Sequence, residues 1–390
     1  MVGGCQGPIF HIPCVEWQSA QGADRLASST SAGAAPDDSP GQAGAGRRRD
    51  ALCAHAARIA ALGSPFVANL VQAAWRQMDR APELALMFDN WPGEYGADAV
   101  AFRLASALHA LALAGEPARL AALFAAGEGD FDAAVAEALA LHQGFVLAWM
   151  AHPTQTNEVA RSAAFAAALL ALDAQAPMPV DLLELGASAG LNLNLGRYRF
   201  ALGTTQCGPP QSPLRLAPEW RGPSPPKGAL HIARAQGVDL APIDPRDPAS
   251  ARRMQAYVWP DRPERLARLT AALAIARRHP PSVARASAAP WLEQRLSAPQ
   301  EAGSRRVIVH SMVMQYLSAG ERGEITAAII RAGAAATPER PLAWIALEWT
   351  ADRRAVTLQA THWCGRDTCR GQTRVLARCH PYGEWIEWLD

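Results

Sequence analysis

Between residues 50 and 175 the apolar side chains recur at helical spacing and no segment reads as a strand, whereas from residue 180 onward short β-like runs alternate with helices. This change of period constrains the fold more than any other feature. In the first half Phe102, Ala105, Leu108, His109 and Ala112 line one helical face, and Gly and Pro separate six or seven such segments. His109 lies on or beside the apolar stripe, where a hydrogen-bonded core histidine is the expected role. The second half offers strands at 180–185, 229–233, 281–286, 305–311, 341–349, 355–360 and 373–379, with helices near 262–278, 289–297 and 321–335. Strands alternating with helices, closing on antiparallel-looking strands, indicate an α/β fold with a doubly wound sheet. The expected organisation is a low-complexity, disordered tail over 1–48, an all-helical subdomain over 49–176 and an α/β domain over 177–390. The three arginines at 47–49 read as a solvated helix start.

Composition narrows the function. A chain of 390 residues that is 49% hydrophobic can bury a large core. A net charge of +1 gives no sign of a nucleic acid partner. The N-terminus lacks a basic start with an apolar run behind it, and no unbroken apolar stretch is long enough to span a bilayer. The expectation is a cytoplasmic protein with a small-molecule substrate and no membrane partner. Seven scattered cysteines suggest reduced thiols. Lys227, the only lysine, follows neither a strand nor a glycine loop, which removes pyridoxal enzymes, Walker phosphate loops and kinases.

The run LLELGASAGLNLNL (182–195) admits two readings. GASAG fits the nucleophile elbow of a serine hydrolase, with Ser188 as nucleophile. It also fits a glycine loop that lets a cofactor approach the backbone, with what looks like a helix behind it. A hydrolase lays down several strands before its elbow, but here about 130 helical residues come first and no oxyanion loop is visible. A cofactor-binding sheet begins at its glycine loop, so the position favours a cofactor. The set His362, Cys364, Cys369, Cys379 and His380 invites a zinc reading, but its C-x4-C spacing is looser than a zinc knuckle and no metal is expected.

The pattern E-x-G-x-x-x-G over Glu184 to Gly190 resembles the first motif of the class I S-adenosylmethionine methyltransferases. A fuller resemblance comes from QTNEVARSA (155–163), the glycine-loop run through 200, GVDLAPIDPRD (237–247), VWPDRPERLARL (258–269), VIVHSMVMQYLS (307–318), WIALEW (344–349) and HPYGEWIEWL (380–389). Together these look like the bacterial domain-of-unknown-function family 2332, from about residue 52 to the C-terminus. That resemblance implies a Rossmann-like, methyltransferase-type fold and brings no substrate. Gly196, Tyr382 and the acid-free stretch 284–289 depart from the expected pattern. The last removes the acid that in methyltransferases commonly contacts the adenine amine.

The candidate cofactor residues are Glu184, Gly186, Ala187, Ser188, Gly190 and Asn192 around the loop, with Asp239, ahead of Asp244, as the acid for ribose hydroxyls. Gln155, Asn157, Glu158 and Arg161 precede a helix and could face a ligand carboxylate or substrate. Thr156 or Asn157 would cap that helix and Arg161 would pair with Glu158. His310, Tyr316 and Glu348 lie at or near strand carboxyl ends, where ligands bind in open sheets, and are the catalytic candidates, His310 as proton acceptor. The expected activity is S-adenosylmethionine-dependent methyl transfer to a small molecule. The alternatives are a serine hydrolase using Ser188, Glu348 and His362 or His380, and a non-catalytic Rossmann-like ligand-binding protein.

Overall fold

The computed structural model describes residues 52–390 apart from positions 62, 97, 153, 156 and 368; the expected tail, with the arginines at 47–49, lies outside the described residues. Seven helices come first: α1 (Leu52–Ala61), α2 (Pro65–Arg76), α3 (Pro82–Asp89), α4 (Val100–Ala114), α5 (Ala118–Ala126), α6 (Phe131–Met150) and α7 (Ser162–Gln175). Proline opens α2 and α3, where its missing N–H costs nothing. Asp130 accepts the Ala133 amide at 2.9 Å to start α6. Gly115 and Gly127, both left-handed, end α4 and α5.

The chain divides into two compact units, one of residues up to Gln155 with Arg252–Leu266, the other Thr156–Ala251 with Ala267–Asp390. The expected boundary at 176/177 is thus displaced. α7 is buried from Ser162 to Leu170 and packs against strands of the second unit. A helix apolar all round has no stripe by which its side of a boundary can be read. Segment 252–266 joins the helices because Trp259 and Ala256 enter their core with Leu70, Leu104, Leu108 and Leu139. His109 is the expected core histidine. Its Nδ1 lies 3.1 Å from the Ala256 carbonyl, its ring stacks on Phe124, and burial lowers its pKa to about 4. By length and composition α6 could cross a membrane, although Asp132 and Glu137 interrupt its apolar run. Val135, Ala138, Leu139, Val146 and Met150 of this helix are buried in the helical core.

The second unit carries β1 (Val180–Leu185), β2 (Arg199–Leu202), β3 (Thr205–Cys207), β4 (Arg215–Leu216), β5 (Glu219–Arg221), β6 (Ile232–Asp239), β7 (Ser282–Arg285), β8 (Arg305–Ser311), β9 (Leu342–Trp349), β10 (Val356–Trp363), β11 (Arg370–Cys379) and β12 (Trp385–Trp388). Nine of them form one mixed, mostly parallel sheet in the order β5-β12-β11-β10-β9-β8-β1-β6-β7. From β1 the chain adds parallel strands β6 and β7 on one side, then returns to add β8 and β9 on the other. The order therefore reverses between β1 and β8, which makes a crevice at their carboxyl ends. After α8 (Pro248–Ala256) and α9 (Pro263–Arg278), α10 (Ala288–Ser297) and α11 (Ala319–Ala334) cover this part through Leu292, Ile325 and Ile329.

Two local expectations change. The Pro- and Gly-rich stretch 197–228, for which the sequence suggests no strand, carries β2 to β5, strands of two to four residues that are too short to show a period. The helix expected after Gly190 is a 3-10 segment, Leu191–Arg197, in which Asn192, Asn194 and Gly196 are weak helix formers. The second strand also begins later than expected, at Ile232, and so ends on Asp239.

The C-terminal His and Cys set is not gathered. Register pairs Val356 with Cys379 and Trp363 with Arg370, so Cys379 lies at the opposite end of the β10–β11 hairpin from Cys364 and Cys369. Those two are bonded to each other, an exception to the expected reduced thiols.

All six residues of β1 are buried, including Asp181, which Arg306 holds at 3.3 Å. Arg306 also donates to the carbonyls of Arg295, Ala298 and Pro299. Replacing Arg306 by Met leaves the buried Asp181 carboxylate only the exposed Arg234, 3.9 Å away, and takes a donor from several carbonyls. The expected loss is about 3–5 kcal/mol in urea unfolding.

Candidate functional site

The carboxyl ends of β1, β6, β8 and β9 bring most of the expected residues to one end of the sheet, but on two faces. Glu184 aligns with Gly237 of β6 and Val309 of β8, while His310 aligns with Leu185 and Ala346. Side chains alternate along strands and aligned residues share a face. Glu184 and Asp239 therefore stand on one face, and Trp344, His310 and Glu348 on the other.

On the first face the loop after β1 folds back over β6. Gly237 permits this, because a Cβ there would strike Ala187 and Leu193. The Ser188 amide donates to Asp239 Oδ2 at 2.8 Å, and the Ala241 amide donates to Oδ1 at 2.9 Å. Asp239, at the expected strand end, thus clasps the loop. Asn192 Nδ2 donates to Glu184 Oε1 at 2.7 Å. Glu184 is only 2% exposed. Burial pushes its carboxyl up to about 8, against the Asn192 bond, with the Asp239 charge adding to the rise. Glu184 Oε2, Ser188 Oγ and Asn192 Oδ1 are all buried and have no hydrogen-bond partner. Tyr198, absent from the sequence expectations, donates to the Leu191 carbonyl at 2.5 Å and ties the 3-10 segment down.

On the second face His310 is 1% exposed and both of its nitrogens are engaged. The Trp344 indole donates to Nε2 at 2.8 Å, and an indole N–H only donates. Nε2 therefore carries the lone pair, and Nδ1 carries the hydrogen that reaches Glu348 Oε1 at 2.7 Å. The same oxygen accepts the amides of Val313 and Met314 at 2.9 and 3.3 Å. His310 has no lone pair left for a substrate proton, which corrects the role expected of it. It orients Glu348, and Glu348 shapes the turn after β8.

The two faces meet where that turn crosses the glycine loop. A Cβ at Gly186 would collide with Val313. Ser188 (φ 53°) and Met312 (φ 58°), one in each loop, hold left-handed conformations uncommon outside glycine. Such strain concentrates at functional sites, and two strained loops side by side mark this crevice. Met312 and Val313 carry no chemistry that a sequence pattern could flag.

The segment before α7 adds two struts. Asn157 does not cap the helix; its Oδ1 accepts the Leu191 amide at 3.2 Å, behind the glycine loop. Glu158 instead caps a short 3-10 turn through Ala160. Arg161 Nε donates to the Pro381 carbonyl at 2.8 Å, and Gly383 packs on Ala160, so two widely separated sequence motifs meet here. Gln155 belongs to the helical unit and Thr156 lies outside the described residues. Tyr316, 39% exposed, sits on the 3-10 turn Met314–Tyr316.

A serine hydrolase would need a histidine on Ser188. Ser188 Oγ has no partner, and His362, paired with Ala343 near the start of β9, stands at the other end of the sheet. His380 lies at the carboxyl end but beyond β10, beside Glu384, Tyr382 and Trp385.

A family model described as an uncharacterized protein conserved in bacteria, DUF2332, matches residues 49–388. No curated protein and no solved structure matches the chain.

The elevated Glu184 carboxyl makes stability depend on pH. Below its ordinary value of 4.5 the group is protonated in the folded and unfolded chain alike. Between there and about 8 the folded chain keeps a proton that the unfolded chain has released, so stability falls as pH rises. The slope is at most about 1.4 kcal/mol per pH unit. Glu184→Gln keeps the oxygen that Asn192 bonds and removes the titration. In urea unfolding at pH 5 to 8 the variant is expected to gain on the wild type steadily with pH; parallel curves would remove this account of Glu184.

Proposed function

Because the chain belongs to this bacterial family, whose description names no activity, we propose its function from the site: S-adenosylmethionine-dependent methyl transfer to a small molecule. The observation that carries the proposal is the unpaired, buried Glu184 Oε2 at the root of a glycine loop beside the reversal of strand order. The order β7-β6-β1-β8-β9 is the 3-2-1-4-5 half of a Rossmann-type sheet, which supports the methyltransferase-type fold expected from the motifs.

The residues suit the amino acid half of the cofactor better than its nucleoside half. Glu184 Oε2 and Asn192 Oδ1 would take an ammonium group, and Ser188 Oγ could pair with its carboxylate. Asp239 would serve the ribose with the lone pairs its two amide bonds leave over. Ala286 follows β7 where an acid would meet the adenine amine, and the loop leads into a 3-10 segment, so those contacts are not supplied. Bound S-adenosylmethionine brings an already activated methyl group. The protein then has to align the acceptor and exclude water. Asn157 and Arg161 serve by bracing the loop and the 380–383 turn around the crevice.

One observation favours a second reading, ligand binding without turnover: His310 has both nitrogens engaged, so no free base faces the crevice from β8. An acceptor panel separates the two, because only the first gives S-adenosylhomocysteine.

Calorimetric titration with S-adenosylmethionine and S-adenosylhomocysteine is the direct test. Micromolar binding is expected, weakened at least about tenfold, or about 1.4 kcal/mol, in Glu184→Ala. A ligand ammonium favours the ionised carboxylate, so affinity should rise as pH approaches 8 and binding should release a proton. A folded protein that binds neither compound would end the proposal. Ser188→Ala removes the hydroxyl assigned to the ligand carboxylate, so it is expected to weaken binding while turnover persists at saturating S-adenosylmethionine; loss of all turnover would favour the hydrolase reading.

A further inference from the structure

Cys364 and Cys369 sit at the tip of the β10–β11 hairpin, far from the crevice along the sheet. Their Cα atoms are 5.6 Å apart, within the span of an unstrained bridge, and the Cys364 amide donates to the Cys369 carbonyl at 3.2 Å. Neither is deeply buried, whereas Cys207 and Cys379 are, and burial raises those two thiols to about 11 and about 12. The tip also carries the exposed Arg366, a cation that favours a thiolate nearby, while Arg370 pairs with Asp367. Cys369 lines a surface cavity of about 100 Å³ with His362, Gln372 and Arg374, which gives a small thiol or disulfide a way in.

We propose that Cys364 and Cys369 are a reversible dithiol latch, oxidised by a low-molecular-weight disulfide such as that of glutathione and reopened by the corresponding thiol. One cysteine thiolate attacks the incoming disulfide, forming a mixed disulfide and expelling one thiolate. The second cysteine gives up its proton to solvent, attacks the protein-bound sulfur and expels the other thiolate. The protein loses two electrons and two hydrogens, and the small disulfide becomes two thiols.

The latch has a local target. Trp363, next to Cys364, is wedged between Gly333 of α11 and Gly371 of β11, where any Cβ would strike its ring. It belongs to the buried cluster containing Leu183, Ile308 and Ile329, with Trp344 packed against that cluster. Closing the bond pins the hairpin tip over this indole; opening it frees the tip to fray.

The test equilibrates the full chain in glutathione buffers of graded oxidised-to-reduced ratio, blocks the remaining thiols with a maleimide and reads intact and peptide masses. Oxidation is expected to leave Cys364 and Cys369 both unalkylated and free of glutathione, and to join their two peptides at about 2 Da below the sum of the reduced peptides. Reduction should restore both thiols, and amide exchange over residues 363–371 should quicken. Cys364→Ser and Cys369→Ser should each abolish the bridge and leave a single glutathione adduct, and exposed Cys53 should give only such an adduct. The proposal is overturned if both thiols stay alkylatable in oxidised buffer, if they bridge to other cysteines, or if the bond resists reduction in the folded protein.

Discussion

The loop after β1 is held in place by hydrogen bonds that come from two distant stretches of chain and from β1 itself. Asp239 at the end of β6 takes the Ser188 amide, Asn157 before α7 takes the Leu191 amide, and Glu184 in β1 takes the Asn192 side chain. None could form unless Gly237 left room for Ala187 and Leu193 over β6. The glycine at 237 is thus as necessary to the loop as Gly186 and Gly190 within it. Once folded back, the loop buries Glu184, and from that burial follow its elevated carboxyl and its unpaired oxygen.

The parallel core was legible in the sequence because strands buried on both faces read as apolar runs bounded by turn residues. β1, β8 and β9 stand within a residue of their expected positions, and Glu184, Asp239 and Glu348 fall at strand ends as the spacing suggested. β2 to β5 were not legible, since strands of two to four residues carry no period, nor was the 3-10 segment, whose leucines at 191, 193 and 195 alternate with a period of two that marks no 3-10 turn. The division of the site between two faces was also hidden. It depends on whether Glu184 aligns with Val309 or with His310, and a single chain carries no record of register between strands. The engagement of His310 needed Trp344, 34 residues away, to be placed beside it.

That division changes how the crevice can work. His310 and Glu348 cannot act on a group held by Glu184 from the same side, so their effect passes through the turn they support. Trp344 fixes the tautomer of His310, His310 orients Glu348, and Glu348 gathers the Val313 and Met314 amides on a single oxygen. The turn so formed carries Val313 onto Gly186. The second face therefore sets how closely anything can approach the glycine loop, which is a positioning role.

The unpaired atoms on the first face call for an energetic account. A buried polar atom without a partner costs about 1–3 kcal/mol, and three of them on one loop amount to a sizeable part of a net stability of about 5–15 kcal/mol. Apolar replacements at these positions would be cheaper if the loop served only to cover β6. Glu184 sharpens the point: ionised, it would bury an unpaired charge; protonated, it presents a hydroxyl with no acceptor, while Asn192 Oδ1 is an acceptor with no donor. Two groups could relieve both deficits at once: a water that accepts the Glu184 hydroxyl and donates to Asn192 Oδ1, or the ammonium of an amino acid that donates to both oxygens. Only the ammonium also draws Glu184 back to its charged form, so a change in the protonation of this carboxyl on binding distinguishes a ligand from a structural water.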